Sequence, residues 1–553
     1  MGDQILQYGR MPLDDLALGL QRALDRLVRR LLLGAAPASG RRRLLIVQID
    51  GLSRAVLEEA MVQGRAPFLA RLLRQRGYRL APMSVGLPTS TPAFQMAAMY
   101  GVRPDIPGFH YHDKRRKTDV YFPRGGDAAH VEKVQAAGRR GIVAGGGAYG
   151  CVFTGGAASN LLTFAMIKRP SGTGLLCTVS KSVVLAWVLM KGSLASLIEL
   201  IRAALRIVAD PLSVSTDGWK WLAIKIGISV WLRELFTLAV AHDLYSGVPT
   251  IYVNYLDYDV VAHGWGPRHR RAFRALRRVD ASIHRLWRIL RRVPEYRYDL
   301  YVLSDHGQAT CIPYQRVTGG PPIERSLFDD FLDPAGAPRT AAPEGRGRRF
   351  ASGLKAYRAQ RAPGFFQRFV NYLERDFPRV LGETPEVRER AGIRVISAGP
   401  NAFVYFLESA NPLTLERIEE RFPALATSIS TARGIGLVLV RSASGPLCFW
   451  RGRRYGLDEL HTGPFAGRPD LDRVVEGIRD LMAMPSAGDL VIYGTNAPQG
   501  DVSFISEVGA HAGPSPDELH TFLIHPRHAD VPSPITHPIQ LYPYFVRYQP
   551  EGV

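Results

Sequence analysis

The stretch Leu44–Gly51, LLIVQIDG, is an apolar run that empties abruptly into an aspartate and a glycine. A short apolar run closed by a turn signal reads as a fully buried strand. Asp50 stands at its carboxyl end, where open α/β sheets place their ligands. A carboxylate there is costly to bury unless something cationic meets it. Three later segments repeat the pattern of an apolar run emptying into acidic and imidazole groups. They are Thr250–His263 (TIYVNYLDYDVVAH), Asp299–His306 (DLYVLSDH) and, more loosely, Phe504–His511 (FISEVGAH). The expectation is an α/β fold with a central, mostly parallel sheet sandwiched by helices, arranged to bring four strand ends together.

At 553 residues the chain exceeds one small core, so a large α/β domain carrying insertions is expected. A net charge of +20 sets it apart from an ordinary soluble protein. Basic clusters recur at Arg41–Arg43, Lys114–Lys117, Arg268–Arg278, Arg346–Arg349 and Arg451–Arg454. This charge reads either as a solvated arginine-rich surface or as attraction to an anionic membrane or a polyanionic substrate. Nucleic acid is not expected as a partner, because no zinc finger, RNA-binding signature or aromatic-spaced basic stripe is present. Cys151, Cys177, Cys311 and Cys448 lie far apart, which argues against a disulfide framework and a thiolate metal site. The first residues lack a basic segment followed by an apolar core, so a cytoplasmic address is expected, with the inner face of the membrane as a peripheral station.

Along the chain, leucines at 13, 16, 20, 24, 27 and 31 step by three and four, predicting an amphipathic helical extension over residues 1–40. The first part of the catalytic core spans 41–317. Within it, Ser53–Tyr78 is expected to be helical, with a loop at Gly86–Thr91. Gly141–Ile167 carries no charge over 27 residues, but its seven glycines predict a buried strand with tight turns rather than a membrane helix. A helical apolar insertion is expected over about 168–245. Its charges leave no run near the roughly 20 apolar residues that a span requires. It reads as a cap over the site or as a helix lying in a membrane interface. A linker and helical region (318–400), a small α+β subdomain (401–485) and the closing part of the core (486–553) complete the expected order. In it the main sheet resumes at Asp489–Tyr493 and closes with His511–His525.

Spacing strengthens the acidic and imidazole groups as a set. Asp259 and His263 are four apart, so on a helical turn they project to one side. Asp305 and His306 are adjacent after an apolar run. Carboxylate oxygens and imidazole nitrogens without thiolate suit zinc or manganese, and six such groups, seven with the Thr91 hydroxyl, overfill one tetrahedral ion and suit two. The order is Asp50-Gly51, Pro88-Thr89-Ser90-Thr91, Asp259-x-x-x-His263, Asp305-His306-Gly307 and His511-x-Gly513.

In this order the chain resembles the type I phosphodiesterase/nucleotide pyrophosphatase family of the alkaline phosphatase superfamily. The match runs over Leu44–Asp113 and Thr250–Gln308 and returns near Gly509–Gly513. The resemblance implies an alkaline-phosphatase-like core with Thr91 as nucleophile. It assigns Asp50, Asp305 and His306 with Thr91 to one zinc, and Asp259, His263 and His511 to the other. The chain departs from the family at three places. Thr91 is followed by Pro92-Ala93-Phe94 where relatives carry Phe-Pro-Asn. The family's phosphate-contacting asparagine falls on His112, and its histidine before Gly108 is Pro107. His112 and His110 are therefore low-order candidates for substrate binding, with loop capping as their alternative role. Thr91-Pro92 lacks the modifiable residue and the arginine of a sulfatase. The expected function is two-metal hydrolysis of a phosphate ester, most readily a phosphodiester that is lipid-linked or a nucleotide. The alternatives are a phosphomonoesterase or phosphotransferase of the same superfamily, or a non-catalytic membrane-surface binding protein.

Overall fold

The computed structural model describes residues 40–161, 231–332 and 389–549. The expected N-terminal extension, the insertion up to residue 230 and the linker over 333–388 lie outside the described residues. The chain divides into two compact units. One draws on Met1–Pro104, Ala128–Ala309 and Ser515–Val553, the other on Asp105–Asp127 and Thr310–Pro514.

In chain order the first unit contains β1 (Arg43–Ile49), α1 (Arg54–Val62), α2 (Pro67–Gln75), β2 (Tyr78–Ser84), α3 (Thr91–Tyr100), β3 (Gly147–Tyr149) and β4 (Ser159–Leu161). There follow α4 (Arg233–Ser246), β5 (Thr250–Tyr255), α5 (Asp257–Trp265), α6 (Arg270–Arg292), β6 (Tyr298–Leu303) and β7 (His520–Pro526). The seven strands form one sheet in the order β2-β7-β6-β1-β5-β3-β4. β1 runs parallel to β5 and β6 on either side, and β7 returns antiparallel between β6 and β2. Every residue of β1 and β5 is buried, which is why both read as continuous apolar runs rather than alternating ones. In register, Gln48 stands opposite both Asn254 and Leu303. The residues just beyond these positions therefore emerge at one edge of the sheet.

The glycine-rich stretch after residue 141 yields only the two three-residue strands β3 and β4. A Cβ on Gly146 would stand 2.0 Å from the Thr250 carbonyl oxygen, so the backbones pass too closely for any side chain there. α6 buries Phe273, Leu276, Val279, Ile283 and Leu286 along one face. It also supplies the cap that α2 lacks. Ala66 precedes α2 without a capping side chain. The backbone N–H groups of Phe68 and Leu69 instead donate to the buried Asp280 carboxylate, each at 2.9 Å.

The second unit is built on a wholly antiparallel seven-stranded sheet. Its order is Glu389–Arg390, Ile393–Ser397, Asn401–Phe406, Leu490–Tyr493, Leu437–Ser442, Gly445–Trp450 and Arg453–Gly456. Leu490–Tyr493 was expected in the main sheet and is instead the central strand of this one. An apolar strand buried on both faces has the same local pattern in either setting. The Phe504–His511 segment likewise adds no strand to the parallel sheet, which closes with β7 alone. Within the second unit Lys114 Nζ donates to both carboxylate oxygens of Asp489, at 3.0 and 2.9 Å, and the pair is buried. Asp489 also accepts from the N–H groups of Phe406 and Leu413, so its charge is fully met. Among the described residues no helix is long and apolar enough to cross a membrane.

Candidate active site

The carboxyl ends of β1, β5 and β6 deliver the acidic residues of the first unit. Asp50 leaves β1, Asp305 and His306 follow β6, and Asp259 and His263 sit on α5, which begins two residues after β5. Ser304 ties two of these ends together: its hydroxyl accepts from Leu52 N at 3.0 Å and donates to the His306 carbonyl at 2.8 Å. Thr91 is the first residue of α3, with Ser90 before it in extended conformation. Its side chain thus stands at the positive end of a fully buried ten-residue helix.

Four groups converge. Thr91 Oγ1 lies 3.4 Å from Asp50 Oδ1 and 3.2 Å from His306 Nε2. His306 Nε2 lies 3.5 Å from Asp50 Oδ1 and 3.4 Å from Asp305 Oδ2. A tetrahedron whose corners are ~2.0–2.1 Å from its centre has edges of about 3.3–3.4 Å. These spacings therefore match four ligands around one zinc-sized ion.

The electrostatics agree with that geometry. Burial pushes the Asp50 carboxyl well above its usual range, and the Asp305 and Asp259 charges push it further. Burial likewise lifts Asp305 to about 7, and Asp305 Oδ2 has no hydrogen-bond partner. Burial lowers His306 to about 4, so its imidazole is neutral. With Nδ1 3.1 Å from the Gly307 carbonyl oxygen, the ring proton sits on Nδ1 and Nε2 turns its lone pair inward. Two crowded carboxylates, an orphaned oxygen and a neutral imidazole lone pair are what a divalent cation requires, and the residues fit one.

Beside this cluster, Asp259 Oδ2 and His263 Nε2 are 3.3 Å apart on one face of α5. Gly51 makes room for them. At φ +73°, a Cβ on Gly51 would stand 2.4 Å from Asp259 Oδ1, so the turn after β1 admits glycine alone. Gln308 donates to that same oxygen of Asp259.

Two residues absent from the sequence-based candidates complete the surround. Asn254 Nδ2 donates to Asp50 Oδ2 at 2.6 Å, which leaves Oδ1 facing Thr91 and His306. Gln48 Oε1 accepts from Gln95 and from the Tyr252 hydroxyl, joining β1, α3 and β5 behind the cluster. The sequence signal for both was an amide inside an otherwise apolar, fully buried strand, where an unpaired polar group is costly.

His511, His110 and His112 belong to the second unit. His511 follows the strand Gly509–Ala510. His110 and His112 lie on the hairpin strand His110–Asp113, paired with Thr118–Tyr121. His112 Nδ1 is 2.8 Å from Asp119 Oδ1, which also accepts from Arg394 at 2.8 Å. The His110 ring packs edge-on against Tyr121.

A family model described as Type I phosphodiesterase / nucleotide pyrophosphatase matches residues 44–333, just over half of the chain. A comparison with curated protein sequences returned no match. Among solved structures, the chain is similar to phosphonoacetate hydrolase from Sinorhizobium meliloti 1021 in complex with phosphonoformate. Identity is 13%, with 92% of this chain and 96% of that chain covered, at a TM-score of 0.44. It is also similar to murine ectonucleotide pyrophosphatase/phosphodiesterase 5, an inactive variant in complex with AMP. There identity is 13%, with 92% of this chain and 94% of that chain covered, at a TM-score of 0.42. The chain belongs to the type I phosphodiesterase/nucleotide pyrophosphatase family, a family of metal-dependent phosphoester hydrolases.

Proposed function

We propose that the protein hydrolyses a phosphodiester through a covalent phosphothreonine on Thr91. The observation that carries this reading is the Thr91 hydroxyl, held 3.2 Å from His306 Nε2 and 3.4 Å from Asp50 Oδ1 at the start of α3. A threonine hydroxyl is a weak nucleophile unless its pKa is lowered. Zinc, or manganese in its place, held by Asp50, Asp305 and His306 with Thr91 and by Asp259 and His263 with the sequence-assigned His511, would lower that pKa and offset the phosphoryl charge. Thr91 attacks phosphorus, forming the Oγ–P bond as the bond to the leaving alcohol breaks and that oxygen takes up a proton. Water then cleaves the Oγ–P bond, restores the hydroxyl and releases a phosphomonoester. The positive end of α3 favours the non-bridging oxygens throughout. Asn254 and Gly307 hold Asp50 and His306 in orientation, and burial of the cluster excludes bulk water.

The test is turnover by protein purified without chelator on chromogenic phosphate diesters and monoesters, with elemental analysis alongside. Diester turnover should exceed monoester turnover, with metal content approaching two ions per chain. Thr91→Ala should lower turnover by about 10³-fold or more while retaining most of the metal, and Thr91→Ser should keep measurable activity because the oxygen survives. Wild-type rates from Thr91→Ala would transfer the attack to another group. Faster monoester turnover would make the protein a phosphomonoesterase.

A further inference from the structure

The outer face of the first unit carries a row of cations along one helix. Along α6, Arg270, Arg274, Arg277, His284, Arg288 and Arg291 follow one another at helical spacing on the side opposite the buried stripe. The helix has 23 residues, so the row runs for ~30 Å. α2 lies alongside. Phe68 stacks on His284 with ring centroids 4.7 Å apart, and Arg76 lies over the Trp287 ring at 5.1 Å. Arg291 lies over the same half-buried ring at 5.2 Å. Burial lowers the His284 pKa, and the charges of Arg71, Arg288 and Arg76 lower it further, so these three arginines crowd around one point.

Pairing separates this face from its flanks. Off the row, Arg285 is bonded to Glu234, and Arg268 to Asp517 and Glu59. On it, Arg71, Arg270, Arg274, Arg277 and Arg288 form no direct ion pair among the described residues, although the charge of the buried Asp280 acts on Arg71 and Arg277. The only acid in α6, Asp280, is turned inward to cap α2. Packing requires none of these exposed charges, and their mutual repulsion is unfavourable unless an anion meets them.

We propose that α2 and α6 form a docking face for an anionic lipid bilayer. The face is a pair of helices side by side with a straight arginine row, so a plane of phosphate headgroups meets the whole row at once. A nucleic-acid duplex, itself convex, would meet only part of it. Trp287, held between Arg76 and Arg291, has the amphipathic ring that settles at headgroup depth. Arginine stems bury along the apolar boundary while their guanidinium groups reach phosphate. α4, at the end of the apolar insertion expected over about 168–245, packs directly on α6. None of the α2 and α6 arginines is among the candidate catalytic residues, and the inference does not depend on the substrate.

Co-sedimentation of the full chain with vesicles tests it. Wild-type protein should bind phosphatidylcholine vesicles containing about 30% phosphatidylglycerol, release them as salt rises, and ignore pure phosphatidylcholine. Each arginine near the surface contributes about fivefold in affinity, so Arg71→Gln/Arg277→Gln/Arg288→Gln should bind roughly 100-fold more weakly. Its turnover of a soluble substrate should stay at the wild-type level, which reports an intact fold. Removing the same charge from the second unit, with Arg451→Gln/Arg453→Gln/Arg454→Gln, should change vesicle binding by less than about threefold. Equal losses in the two variants would reduce the effect to net charge and overturn the proposal. So would wild-type indifference to phosphatidylglycerol, or arginine-dependent binding of duplex DNA without binding of vesicles.

Discussion

Asn254 holds Asp50 from behind, and the division of labour between the two carboxylate oxygens follows from it. Oδ2 accepts the amide at 2.6 Å, so only Oδ1 faces Thr91 and His306. Asn254→Ala would leave a buried carboxylate oxygen unpaired and free the group to rotate. Loss of a partner behind a ligand lowers metal affinity by about 10–100-fold. Titration of the metal-depleted protein against a competing chelator should show that loss, with secondary structure unchanged. Asp119 offers a pH-dependent counterpart in the second unit. Burial alone would raise its carboxyl, but the His112 and Arg394 bonds outweigh burial and hold it at about 2, against an ordinary 3.8. A carboxyl depressed on folding stabilises above its unfolded pKa and loses that contribution as pH falls through the folded value. Because Asp119 is partly exposed, the contribution is discounted to about 1 kcal/mol. Urea unfolding should therefore weaken between about pH 4 and pH 2, and Asp119→Asn should flatten that fall.

Elements in this molecule rely on one another for groups they do not supply themselves. α2 begins at Ala66-Pro67 with no capping side chain, and α6, more than 200 residues later, provides one in Asp280. Asp280→Ala would orphan two backbone donors beneath the Phe68 and His284 rings. The expected cost is about 1–2 kcal/mol, read as a lower denaturation midpoint, with turnover unchanged because no candidate site residue moves. The central strands show the same dependence at larger scale. β1 has partners on both sides, and each partner ends in part of the acidic cluster. The register of β1 with β5 and β6 therefore sets where the carboxylates stand.

For the whole molecule, the first unit holds carboxylates that burial, and then neighbouring charges, push above their ordinary range, so a bound cation should stabilise it. Chelation should remove turnover and lower the thermal midpoint, and adding zinc back should restore both. Binding to the folded state alone stabilises by about 2.7 kcal/mol at a free concentration one hundred times the dissociation constant. A midpoint unmoved by chelator, in protein that had contained stoichiometric metal, would mean that the cluster tolerates its own repulsion. In the second unit Lys114 and two backbone donors meet the buried Asp489, opposing the upward push of burial on its carboxyl.

Local pattern determined much of this arrangement. LLIVQIDG is a buried strand ending in Asp50, TIYVNY is another, and the four-residue step from Asp259 to His263 does fall on one face of a helix. These features follow from strand and helix periodicity, which any short window of sequence contains. The order of the motifs carried the family, and the start of α3 at Thr91 agrees with the loop expected before it. Other features were set only by pairing between distant segments. Leu490–Tyr493 is as apolar as β1 but belongs to the antiparallel sheet, because a strand covered on both faces bears no mark of its neighbours' direction. His110 and His112 stand on a hairpin of the second unit for the same reason: nothing in their window names the sheet that receives them. The roles of Gln48 and Asn254 needed the register that sets them side by side between β1 and β5. Sequence specified what each strand end carries; which ends meet was decided by the burial of whole strands against one another.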